Sequence, residues 1–239
     1  MLPLGDDDAS RRAAEEARVE ARARNGGSVI NVAVPRSSAL PGSFREARVR
    51  VIARVPHGSH LEAVLAAADF EGRGRFGSAR VRTASGDVVI DALQSDLLAK
   101  SASGELRFGE IAGSAEVKTA SGDVEIFNLG GPGKIQAASG DVLVHEAGSS
   151  LEVQSASGDL AIEKVVEGAV RLQSASGDLR VGVGRGSILW IDAKSMSGST
   201  TSELELDDTP LEGPGPRLEI LAKTMSGDIH VVRADAVPA

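Results

Sequence analysis

The chain has 239 residues, is 41% hydrophobic but only 3% aromatic, contains no Tyr and no Cys, and carries a formal net charge of −8. The missing cysteine excludes disulfides, zinc–thiolate centres and thiol nucleophiles, and the negative balance argues against a nucleic-acid partner, which requires a basic surface. No stretch approaches the roughly 18 to 20 apolar residues of a membrane span. No basic-then-apolar leader opens the chain, so the expectation is a cytoplasmic protein as written, with surface association left open.

In chain order, residues 6–18 are charged and rich in Ala, Glu and Arg, with Asp8 placed as an N-cap, which predicts a short helix. Val19–Arg24 and Ser28–Val34 alternate around Asn25-Gly26-Gly27, the signature of a hairpin. Residues 35–42, with Pro35 and Pro41, read as a loop, and Phe44–Val55 as a long strand ending at Pro56.

From there one phrase recurs: Ala84-Ser85-Gly86-Asp87-Val88, then its equivalents at Gly104, Gly122, Gly140, Gly158 and Gly177, and two Met-bearing copies at Gly198 and Gly227. The first five of these glycines are 18 residues apart, and the later steps are 19, 21 and 29. A fixed period of this kind marks a repeat architecture. Ala67-Ala68-Asp69-Phe70 sits one period before the first clear copy and reads as a degenerate terminal coil. Around Gly122, Ala115, Val117 and Thr119 alternate before the turn, and Val124 and Ile126 after it, while Glu116, Lys118 and Glu125 fill the slots between. Such alternation marks strands with one buried face. Each repeat therefore predicts two short strands joined at the Ser-Gly turn, with a second corner near Gly113, Gly131, Gly148 or Gly168. The expected fold is an all-β, single-stranded β-solenoid of about 18-residue coils, right-handed because each coil carries one motif rather than three hexapeptides. Its expected layout is an N-terminal helix and strand cap over 1–60 belonging to the same fold, the solenoid over 61–233, and a tail over 234–239. Thr209–Pro216 reads as a loop inserted into the coils.

The tandem coils, closing with Lys223-Thr224-Met225-Ser226-Gly227-Asp228-Ile229, resemble the bacterial adhesin-like family of β-strand-repeat domains of unknown function. The Arg-over-Lys bias and abundant Ala and Gly resemble its actinobacterial branch. The resemblance implies a right-handed β-solenoid and carries over no catalytic residue, no cofactor and no enzymatic role.

Three sets of residues remain as candidate sites. The acids after each Gly form one column, with Asp87, Asp123, Asp141, Asp159 and Asp178 as candidate calcium ligands. Against that stands a turn role, each carboxylate accepting N–H bonds at its own turn, which is weighted more heavily because one acid per 18 residues supplies few ligands. A second column, four before each Gly, comprises Arg82, Lys100, Lys118, Gln136, Gln154, Gln173, Lys194 and Lys223, read as a solvated face rather than a ligand stripe. The four histidines, His57, His60, His145 and His230, fall on different coils or in loops without a metal-binding spacing. The expected function is a non-enzymatic display or binding module for a protein or surface partner, contacted through 207–217 or 1–60. The alternative is a scaffold that stacks through its solenoid ends, and the oligomeric state stays open.

Overall fold

The computed structural model describes residues 2–3, 18–24, 27–33, 49–204 and 215–234. The chain divides into two compact units, Met1–Val55 and Pro56–Ala239.

In the first unit, β1 (Leu2–Pro3), β2 (Arg18–Arg24), β3 (Gly27–Ala33) and β4 (Val49–Arg50) form two antiparallel pairs, β1 with β4 and β2 with β3. The hairpin expected around Asn25-Gly26-Gly27 is therefore present, with Arg24 opposite Gly27. Of the expected strand over Phe44–Val55, Val49–Arg50 form β4 and residues 51–55 have no regular structure, while residues 44–48 lie outside the described residues. The helix expected over residues 6–18 lies outside the described residues except for Arg18, which opens β2.

The second unit is the solenoid. Its odd-numbered strands are β5 (Leu61–Ala67), β7 (Ala79–Ser85), β9 (Leu97–Ser101), β11 (Ala115–Thr119), β13 (Gly133–Ser139), β15 (Leu151–Ser157), β17 (Gly168–Ser176), β19 (Ile188–Ser197) and β21 (Arg217–Ser226). They form one parallel nine-stranded sheet. The even-numbered strands are β6 (Phe70–Phe76), β8 (Val88–Leu93), β10 (Leu106–Ile111), β12 (Val124–Leu129), β14 (Val142–Ala147), β16 (Leu160–Val165), β18 (Leu179–Val183), β20 (Thr200–Ser202) and β22 (Ile229–Arg233), and they form the other. Each coil contributes one strand to each sheet, and the degenerate coil around Ala68 is the first of them.

The alternation seen in the sequence is the burial pattern. Ala115, Val117, Val124 and Ile126 point into the narrow core and are at most 3% exposed, as are their counterparts Leu151, Val153, Leu160 and Ile162. Each such side chain contributes about 1.5–3 kcal/mol by leaving water, and stacking makes the apolar stripe continuous across coils. From β8 to β16 the even-numbered strands hold a third inward residue, such as Ile111 or Leu129, three positions after the second rather than two. The ladder correspondingly skips the pair Gly109 and Phe127, so the strand bends there before the next corner.

The Ser-Gly corners show why this phrase repeats. Gly122 has φ of +112°, and a Cβ on it would lie 2.1 Å from the Gly104 carbonyl oxygen of the previous coil. Only glycine fits a corner that combines a left-handed backbone with such close approach. Ala68 occupies the slot on the first coil, where no earlier coil meets it among the described residues. The small polar slot three before Gly closes the same turn: Thr83, Ser101, Thr119, Ser155, Ser174 and Thr224 each donate their hydroxyl to the carbonyl two residues on, at 2.7–3.1 Å.

At the C-terminal end the order departs from the serial stack that the repeats suggest. β21 lies between β17 and β19, and β22 between β18 and β20. The last coil is thus inserted between the seventh and eighth. The corner contacts follow this spatial order, since the Gly227 N–H donates to Ser197 O and the Gly177 N–H to Ser226 O, both at 3.0 Å.

Candidate functional site

In an in-register parallel solenoid, every repeat position becomes a straight column at the strand spacing of about 4.8 Å. Neighbours in a column interact as cross-strand pairs, so alternating charge stabilises a column and stacked like charge destabilises it. Three outward columns and one side-chain cluster are the candidates.

The acidic column is offset by the backbone. Asp69 Oδ1 accepts the N–H of Asp87 at 3.0 Å, and Asp87 Oδ1 that of Glu105 at 2.9 Å. Asp123, Asp141 and Asp159 accept those of Asp141, Asp159 and Asp178 at 2.8–2.9 Å. Asp178 binds the Asp228 N–H, and Asp228 binds both the N–H and the hydroxyl of Ser199. The two bonds from Ser199, the backbone one first, hold the Asp228 carboxyl below its ordinary pKa. The acceptor bonds expected within each turn instead tie each coil to the next, so the column is a series of rungs. Glu105, one methylene longer, turns to the Arg107 guanidinium. No group of three or more His, Cys, Asp or Glu side chains that could hold a metal converges among the described residues.

The column six before Gly on the odd-strand sheet reads Glu62, Arg80, Leu98, Glu116, Lys134, Glu152 and Arg171 across successive strands. Its charges alternate, and Lys134 meets Glu152 at 3.3 Å.

The column four before Gly does not alternate. Arg82 pairs with Lys100, and Lys100 with Lys118, on adjacent strands. Gln136, Gln154 and Gln173 follow, then Lys223 and Lys194 in the order set by the inserted coil. Lys118 reaches Glu116 at 3.0 Å, and Gln136 donates to Gln154 at 3.3 Å. Arg82 and Lys100 are exposed and neither is in a salt bridge among the described residues, though Lys118, by hydrogen bond and charge, and then the charge of Lys100 hold the Glu116 carboxyl below its ordinary pKa. Two shallow depressions border this face. One of about 540 Å³ is lined by Arg80, Leu98 and Lys134 together with the acids Asp96 and Glu116, and one of about 390 Å³ by Val64, Arg82 and Lys100.

The cluster lies on the even-strand sheet. The His145 ring stacks on Phe127, with centroids 4.5 Å apart and planes within 13°. Its Nδ1 is 2.7 Å from Glu163 Oε2 and its Nε2 3.0 Å from Glu125 Oε1, while Arg107 donates to the other Glu125 oxygen at 2.6 Å. Two carboxylates facing both ring nitrogens call for two N–H donors, the imidazolium form. Burial opposes that charge, but the hydrogen bonds and charges of Glu125 and Glu163 outweigh it, so the imidazole pKa lies above its ordinary value. Hydrogen bonds from His145 and then Arg107 hold the Glu125 carboxyl below its own. The result is an ion-paired staple across β12, β14 and β16. His60 and His230 each bond a hydroxyl, of Ser78 and Thr201.

The sequence carried a signal for this staple: Phe127, His145 and Glu163 occupy one slot on three successive coils. The loop over 207–217 lies outside the described residues up to 214, and most of 1–60 does too. No helix among the described residues is long and apolar enough to cross a membrane.

Comparison with known proteins gives one family match. Neither a curated protein nor a solved structure matches the chain. The family model of the Toastrack domain of unknown function, DUF4097, matches residues 10–232, spanning the hairpin and every coil, so the chain belongs to the Toastrack family.

Proposed function

We propose that this chain is a non-enzymatic, adhesin-like binding module of bacterial, actinobacterial type, and that it engages a partner through the outer face of its odd-strand sheet. The observation that carries the reading is the stack of Arg82 on Lys100, neither of them in a salt bridge among the described residues. A column arranged for stability alternates, as the neighbouring one does, and local rules are broken where function requires it. The two bordering depressions give a partner relief to grip. The partner's location, in the cytoplasm or at a cell surface, sets that of the module.

The test is retention on a sulfonate surface at pH 7 and low salt. A net charge of −8 alone would send the protein through such a surface. The expected result is retention that Arg82→Glu with Lys100→Glu abolishes, and flow-through of the unaltered chain at every salt concentration sinks the reading.

End-to-end stacking is the second reading. It is favoured by the terminal strands β5, β6, β19 and β20, each paired on one side only among the described residues. Light scattering over a hundredfold concentration range tests it, with open-ended growth expected and a constant mass refuting it.

A further inference from the structure

We propose that the donor column binds a linear anionic polysaccharide of the polyuronate class, laid along the solenoid axis across the strands. The proposal rests on the binding-module reading and names its ligand.

Composition makes the column unusual. The chain has 34 acidic and 26 basic residues, yet from Arg82 onwards no coil places an acid in this slot. Each position carries an N–H donor, cationic at Arg82, Lys100 and Lys118 and amide at Gln136, Gln154 and Gln173. An amide also accepts, but its contribution to a ligand rich in oxygen is its two N–H groups. The stripe therefore runs along one straight line from cations through neutral amide donors and back to cations at Lys223 and Lys194.

Spacing selects the ligand. The donors repeat at the strand spacing of about 4.8 Å, held rigid by backbone ladders on both sides. A chain of linked uronic acids carries one carboxylate per sugar ring, so its charge density along the axis is close to that of the stripe, and the long Arg and Lys side chains reach carboxylates that turn about the chain from ring to ring. Polyphosphate places its charges closer together, and a single-stranded nucleic acid places them further apart, so neither matches the charge density of the stripe. Uncharged oxygens matter as well: ring hydroxyls accept from the glutamines that separate the two cationic segments. Gln136 and Gln154 already bond each other side by side, and Gln154 also donates to Glu152 at 2.8 Å, so these amides are held in place before any ligand arrives. The alternating column beside the stripe supplies Arg80 at the cationic end, with no carboxylate partner among the described residues. The acidic rungs lie beyond the Ser-Gly corner, five residues along from the stripe, and repel a polyanion that strays towards them.

The unpartnered cations become explicable in these terms. Stacked cations cost stability in the free protein, and a polyanion reverses the sign of that cost by displacing counterions from the stripe.

The experiment is titration of the full chain with polygalacturonate, polyphosphate and single-stranded oligothymidylate at matched charge concentration and low salt. The expected result is polygalacturonate binding roughly tenfold tighter than either comparator, a difference of about 1.4 kcal/mol. Binding should weaken at least about tenfold in the double variant Arg82→Glu, Lys100→Glu, and measurably in Gln154→Glu, which lies outside the cationic segment. Thermal melts of the same variants show that they fold. Equal binding of all three polymers, or polygalacturonate binding undiminished in the double variant, overturns the ligand assignment. Sulfonate retention without polyuronate preference does so while leaving the binding-module reading in place, and failure of both assays removes both.

Discussion

Two columns of stacked like charge run along this solenoid, and they solve the same electrostatic problem differently. Asp123, Asp141 and Asp159 sit one strand apart, and each carboxylate receives an N–H from the following coil. Arg82 and Lys100 are equally close and receive nothing comparable. The first column is therefore part of what holds the coils together, and its repulsion is offset within the fold. The second is offset within the fold at Lys118 and Lys194, by Glu116 and Asp192, and at Arg82 and Lys100 by no salt bridge among the described residues. Like charge in a repeat protein is thus no sign of function by itself, and what separates the two columns is where the compensation comes from.

The largest effects should come from crossing the boundary between the inner and outer slots that both columns presuppose. Val124 is 1% exposed, and Val124→Asp should cost more than about 4 kcal/mol by placing an unpaired carboxylate in the core, abolishing a cooperative melt. Lys118→Ala, one sheet away on the outside, should leave the melt nearly unchanged; equal behaviour of the two variants would refute the assigned register.

An intermediate effect is expected in the rungs. Asp141→Ala removes the acceptor of the Asp159 N–H and relieves repulsion from Asp123 and Asp159, for a net loss of about 1 kcal/mol by chemical denaturation. A stabilised Asp141→Ala would show the acids to be as uncompensated as the cations.

A comparable effect, of about 1 kcal/mol after discounting for partial exposure, belongs to the His145 staple. Its folded-state pKa is raised, so its stabilisation is fully present below the ordinary imidazole value of about 6.5 and is lost as pH rises through the folded value. Glu125, held low, contributes above its ordinary value and loses that contribution as pH falls through its folded value. The staple should therefore be strongest between about pH 5 and 6, and His145→Ala should flatten the decline in melting temperature between pH 6 and 8. An unchanged pH profile in that variant would remove the staple.

The smallest stability effect is the sharpest test of the comparison. Lys100→Glu converts the donor column to alternating charge and should stabilise the protein by a few tenths of a kcal/mol, while weakening polyanion binding. A variant that melts higher and binds less separates the two roles; one that melts lower would show Lys100 to be a structural residue.

Most of the fold was legible because an 18-residue period turns sequence position into spatial position. Val117 and Ile126 were inward, and Lys118 outward, by parity alone. The third inward residue, Leu129, was hidden by the bend that breaks parity at Phe127. The acidic column was legible as a column, but which amide each acid binds depends on how adjacent coils are staggered, which no single repeat encodes. The place of the last coil was also hidden. Lys194-Ser195-Met196-Ser197-Gly198 and Lys223-Thr224-Met225-Ser226-Gly227 carry nearly the same phrase, so pattern alone cannot say which docks on β17.

That near-identity has a kinetic consequence. During synthesis the coil of β19 and β20 leaves the ribosome first and meets the free edge of β17 and β18, which its phrase fits, while the coil that finally occupies that edge has yet to be made. The native order requires β21 and β22 to take the edge and β19 to form the outer strand. The two coils compete for one template, and the later one must win by exchange or by arriving before the first has settled. Long-range pairing of this kind is slow. A chain ending before residue 217 lacks β21 and β22, the strands that separate β19 and β20 from β17 and β18, so its last coil should dock elsewhere than in the full chain.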